Sequence, residues 1–126
     1  MYPIRNLLAI TLGSINAMLI FEEKIKMIAH HVLFWLKADM SVEEKQAFRN
    51  SLQSLAGIDV VKNLHVGVPA AIERAVVDTT YTFSLVLFFE DLNGHNVYQV
   101  HPLHEAFLNG FRSYFEKVVI YDAQDY

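Results

Sequence analysis

The chain contains no cysteine. That excludes disulfides, thiolate catalysis and cysteine-based zinc sites. Three prolines and five glycines leave no linker or low-complexity tract, and there is no phosphate loop, dinucleotide fingerprint or local Ser-His-Asp arrangement. Ten basic residues against fourteen acidic ones, a net charge of −4, give no basic footprint for nucleic acid. What remains is 126 residues with 53% apolar and 19% charged side chains, the composition of one globular domain with a moderate core. Six histidines are then the main groups for proton transfer near neutral pH, and the main metal-ligand candidates.

Leu7 to Phe21 runs for 15 residues without a charge, after Arg5 and before Glu22-Glu23-Lys24. A spanning helix needs roughly 20 such residues, so no membrane span is expected. The run has the length and the basic start of a secretion signal, but no small-x-small cleavage site follows it. Met27 stands directly before the first convincing strand. Residues 1–26 are therefore read as an N-terminal apolar extension. It is an appendage upstream of Met27, a signal or anchor, or a helix docked on the core or on a partner. The folded domain is expected over residues 27–126. Its expected location is the cytoplasm, with export or anchoring as the alternative if residues 1–26 act as a signal.

MIAHHVLFWLK, Met27 to Lys37, is β-branched and aromatic and predicts a strand that is apolar on both faces. Ser41-Val-Glu-Glu44 is a capping box, followed by Phe48, Leu52 and Leu55 at helical spacing and Gly57 as a stop. Val60 to Val68 contains a short strand, and Thr79 to Glu90 predicts the clearest one. Asp91 caps a short helix through Tyr98, and Pro102 suits the first turn of the next. Val118 to Tyr121 reads as a last short strand. The order is β-α-β-β-α-β with the second helix broken, an α+β ferredoxin-like arrangement. Helices on one side leave the other face of the sheet bare and apolar, which predicts a homodimer with two sheets facing each other.

The stretch YQVHPLH, Tyr98 to His104, holds the densest chemistry. On a helical wheel His104 falls within the stripe of Leu103, Phe107, Phe111 and Tyr114, facing inward. Burial favours a neutral imidazole, which can act as a general base. The Tyr98 hydroxyl could donate to a developing enolate oxygen. A buried histidine can equally do no more than tie helix to sheet. His101 precedes Pro102 and suits a helix cap. Because Pro102 separates the two histidines, His101-x-x-His104 is a poor metal pair, and neither a metal site nor a cofactor is expected. His30 and His31 point to opposite faces of their strand. His65 and His95 are read as solvated.

HHVLFWLK, VLFFED, YQVHPLHEAF and FRSYFEKVVIYDAQDY together resemble the stress-responsive A/B barrel domain family, Dabb, over Met27 to Tyr126. The resemblance implies a ferredoxin-like protomer and a dimeric α/β barrel. Many members of the family carry no assigned activity. One member, a plant polyketide cyclase that makes olivetolic acid, shares the Tyr-x-x-His-Pro-x-His element. Its catalytic pair falls on Tyr98 and His104, and a pocket histidine of its first strand falls on His30. A further pocket histidine, after Tyr81-Thr82, is replaced here by Phe83. The resemblance thus implies a small apolar, carbonyl-bearing ligand between helices and sheet, with His30, Tyr81, Phe83, His101 and Phe107 as its wall. Three functions stay open: a binding protein, a cyclase- or lyase-like enzyme using His104 as base and Tyr98 as donor, and a structural dimer.

Overall fold

Strand β1, Ile28–Leu36, organises the sheet. Its burial alternates strictly: Ile28, His30, Val32, Phe34 and Leu36 point into the core, and the residues between them are half-buried on the opposite face. That is the period of two expected of a pleated strand. The computed structural model describes residues 25–126. The alternatives for the N-terminal extension fall on residues 1–24, outside that range.

Strand β2 is Val61–Gly67, β3 is Phe83–Phe89 and β4 is Phe115–Gln124. All neighbours are antiparallel, in the order β2-β3-β1-β4. The register sets Val32 between Leu85 and Ile120, and His30 between Leu87 and Asp122. Helix α1 is Val42–Ser54 and runs into a 3₁₀ turn at Leu55–Gly57. Helix α2, Leu92–Gln99, and helix α3, Pro102–Phe111, form the broken second helix. A 3₁₀ turn at Arg112–Tyr114 leads into β4. This is the expected α+β ferredoxin-like protomer.

The core is aromatic at one end. Phe48 of α1 is fully buried and meets the rings of Phe34, Phe83, Phe107 and Phe111 at 5.2, 5.4, 5.5 and 5.3 Å. Such ring pairs add about 0.5–1.5 kcal/mol each beyond the area they bury. The capping box forms as expected: Ser41 Oγ accepts from the Glu44 N–H at 3.0 Å, and Glu44 Oε1 accepts from the Ser41 N–H at 2.8 Å. Glu44 also accepts from the Tyr114 hydroxyl, which ties the start of α1 to the 3₁₀ turn after α3.

Two elements differ in length from the sequence expectation. β3 starts at Phe83 and not at Thr79, because Asp78 takes both the N–H and the hydroxyl of Thr80 in a local turn. Local side-chain bonds of this kind compete with the strand ladder. β4 runs for ten residues, well beyond Val118–Tyr121. Glu116, Lys117, Asp122 and Gln124 are polar and exposed, yet the backbone pairs with β1 from Leu36 to Ile28. On the face away from the helices, Leu33, Trp35, Val86, Phe88 and Val119 are only half-buried.

Candidate functional site

The site is built from the break between α2 and α3. In an unbroken helix the Leu103 N–H would bond the Gln99 carbonyl four residues back. Here His101 caps α3, and its Nδ1 accepts that N–H at 3.1 Å. Pro102, at the first position of α3, has no N–H to offer Tyr98. The Gln99 carbonyl is thereby freed, and His104 Nδ1 donates to it at 3.1 Å. A carbonyl only accepts, so the His104 proton sits on Nδ1 and Nε2 keeps its lone pair.

Tyr98 lies beneath His104 with ring centroids 4.6 Å apart. It is fully buried, and its hydroxyl makes no hydrogen bond to any described residue. Burial alone pushes that hydroxyl well above the ordinary tyrosine range. It therefore stays a donor at every physiological pH. On its other side Tyr98 meets His30 at 5.7 Å and Phe89 at 5.2 Å.

His30 Nδ1 donates to Asp122 Oδ1 at 2.5 Å, across the β1–β4 register pair. The carboxylate fixes the tautomer and leaves Nε2 as the nitrogen available to the interior. Burial lowers the pKa of His30, outweighing the pull of Asp122. Burial likewise lowers that of His104, against the stabilising bond to Gln99. Both imidazoles are thus neutral at pH 7.

These groups line one cleft of about 180 Å³ between α3 and the sheet. Its apolar wall is Val32, Phe34, Leu85, Phe107, Val118 and Ile120, and its polar groups are His30, Tyr98, Gln99 and His104. The arrangement offers two imidazole lone pairs and one phenol donor to a molecule otherwise held by hydrocarbon.

Four of the expected site residues meet here: His30, Tyr98, His104 and Phe107. Three do not line the cleft. Tyr81 precedes β3 and packs against Trp35 on the opposite face of the sheet, ring centroids 6.4 Å apart. Phe83 stacks on Phe48 in the aromatic core. His101 serves as the helix cap. Leu103 is 41% exposed, so the inner stripe of α3 begins at His104, itself half-buried, and not at Leu103.

Two neighbours escaped the sequence reading. His65 is exposed as expected, but His95 is half-buried. Its ring lies 5.3 Å from that of His30, and its Nε2 is 3.7 Å from Asp122 Oδ2. His95 and Tyr98 stand three apart on α2, one face of which therefore brackets His30. That spacing was the available signal. Asp122 had none of its own, because only the strand register places it on His30.

A profile of the Stress Responsive A/B Barrel Domain family, Dabb, matches residues 28–125. Among solved structures, a Dabb family protein with a ferredoxin-like fold from Mesorhizobium loti is 28% identical, with a TM-score of 0.65, over 80% of this chain and 98% of that one. A dimeric protein of unknown function and ferredoxin-like fold from Bacteroides fragilis is 28% identical, with a TM-score of 0.60, over 79% and 96%. Hydroxynitrile lyase from Passiflora edulis, at 18% identity and a TM-score of 0.69 over 81% and 95%, shares the fold. No curated protein matches the sequence. Among the described residues no helix is long and apolar enough to cross a membrane. With the profile spanning nearly the whole described region, the chain belongs to the stress responsive A/B barrel domain family.

Proposed function

We propose that the protein binds a small, largely apolar, carbonyl-bearing molecule in the cleft beside His104. The observation that carries this reading is the cleft itself, hydrocarbon-walled with three converging polar side chains. Its size bounds the ligand. An apolar cavity of about 150 Å³ takes up benzene, so about 180 Å³ suits one ring or a branched chain of similar bulk.

A second reading, enzymatic turnover of the cyclase or lyase kind, is favoured by the His104 tautomer. The bond to Gln99 turns the basic Nε2 away from the backbone, and the Tyr98 ring, whose hydroxyl is unpaired among the described residues, packs against the imidazole. A proton leaving the carbon next to a carbonyl would go to His104 Nε2, and the enolate oxygen would take the Tyr98 hydrogen bond. The third element of the proposal is a homodimer joined through the bare sheet face, supported by the half-buried apolar residues there.

The test uses cyclohexanone and acetophenone as probes. Binding is followed by methyl NMR, with shifts expected at Val32 and Ile120. Turnover is followed as exchange of the probe's α-hydrogens for deuterium. His104→Ala is expected to lower the exchange rate by roughly 100-fold or more while leaving binding measurable, and Tyr98→Phe to lower it with the fold intact. Absence of any methyl shift with either probe overturns the binding reading. Exchange unchanged by His104→Ala overturns the enzymatic one.

A further inference from the structure

Behind the cleft, on the outer side of His30, lies a cluster of which the ligand reading uses His30 alone. His30 Nδ1, His95 Nε2 and a carboxylate oxygen of Asp122 all lie within 4.8 Å of one another. They come from β1, α2 and β4. We propose that these three side chains form a binding site for a divalent first-row cation of the Zn²⁺ class.

The donor set is two imidazoles and one carboxylate, which suits such ions. The spacing is close to what coordination needs. Tetrahedral bonds of about 2.0–2.1 Å set neighbouring ligand atoms about 3.3 Å apart. His30 Nδ1 lies 2.5 Å from Asp122 Oδ1, and His95 Nε2 lies 3.7 Å from Asp122 Oδ2. The first pair must open by about 0.8 Å, and the carboxylate must turn so that one oxygen serves both imidazoles. Asp122 can supply the movement, because its side chain is 44% exposed at the sheet edge.

The neighbouring contacts point the same way. His95 Nδ1 lies 3.1 Å from Asn96 Oδ1, which accepts from the ring N–H, and His95 Nε2 faces an Asp122 oxygen at 3.7 Å. Asn96 is also the outer partner that a metal-bound histidine commonly has. Coordination through His30 Nδ1 needs a change of tautomer, because that nitrogen carries the proton donated to Asp122. On coordination its proton passes from Nδ1 to Nε2 through solvent, with no net release. His30 then presents a donor, and no longer an acceptor, to the inner cleft.

There is an entry path and room for further ligands. An outer cleft of about 170 Å³ opens on His95 and Asp122, flanked by Leu92 and Gln124. Three protein ligands with an open fourth position is the arrangement of catalytic metal sites.

The experiment uses untagged, chelator-treated protein. Co²⁺ is titrated in and its visible absorption band recorded, and Zn²⁺ binding is measured by calorimetry. One ion per chain is expected, with ring-nitrogen NMR shifts at His30 and His95. His95→Ala and Asp122→Asn should each weaken Zn²⁺ binding roughly 100-fold or more, exceeding the 10–100-fold typical of an outer partner. His65→Ala and His104→Ala should leave it unchanged. Circular dichroism checks that the variants are folded. Wild-type affinity no tighter than that of folded His95→Ala, or absence of the Co²⁺ band, overturns the proposal. A Co²⁺ band that survives both ligand substitutions places the ion elsewhere and overturns it as well. Loss of ligand binding in the inner cleft would not bear on this outcome.

Discussion

His30 is buried, 3% exposed between the rings of Phe89, His95 and Tyr98. Its burial makes the charged form costly in the folded state, whereas the unfolded chain takes a proton near the ordinary 6.5. Below that value the unfolded state binds more protons than the folded one, so stability falls as pH drops through 6.5 and levels off below the folded pKa. His104 acts in the same direction, more weakly because it is half in solvent. The melting temperature of metal-free protein is therefore expected to hold steady above about pH 7 and to decline towards about pH 5. His30→Gln should flatten much of that decline, and equal slopes in the two proteins would refute the account. Tyr98 and His104 were legible in the sequence because one short stretch carries both. His95 and Asp122 were not, because three elements meet to form their cluster, and no local pattern in the 26 residues between them brings them together.

The break between α2 and α3 is the element that makes the site. Pro102 announced it in the sequence through its missing N–H. The consequence stayed hidden: which carbonyl is freed, and which side chain then takes it. His101 supplies the missing link by accepting the Leu103 N–H, which would otherwise return to Gln99. His101→Ala removes the cap of α3, and a lost cap costs about 0.5–2 kcal/mol. Urea unfolding should report that loss, and the His104 ring-nitrogen NMR signals should show a mixture of tautomers as Leu103 competes for the Gln99 carbonyl. Unchanged stability together with an unchanged His104 signal would mean that Pro102 alone holds the break. The strands show the same division between pattern and partner. β1 and β3 were legible because one face of each is packed and their burial alternates. The full length of β4 was not, because most of its side chains are exposed and backbone pairing to β1 alone extends it.

At the scale of the molecule, the open question is what covers the second face of the sheet. The helices occupy one face, and the other presents Leu33, Trp35, Val86, Phe88 and Val119, all half-buried by their own neighbours. Its polar groups are largely spoken for: His31 pairs with Ser84 Oγ at 2.9 Å, and the Trp35 indole N–H donates to Thr80 Oγ1 at 2.9 Å. A face with its polar groups satisfied and its apolar groups in water gains by meeting another such face, and sheets pack in this way about 10 Å apart. A stable pair needs about 800 Å² from each partner, which only the sheet face as a whole would supply. Val86 stands at its centre, opposite His31 on β1 and His65 on β2. Lysine there keeps both ladders intact but sets positive charges against each other across a two-fold contact. In sedimentation at micromolar protein, the wild type is expected to run as a dimer and Val86→Lys as a folded monomer. The inner cleft lies on the opposite side of the sheet, so probe binding beside His104 should survive the substitution. A monomeric wild type, or a Val86→Lys variant that remains dimeric, would remove this face as the interface.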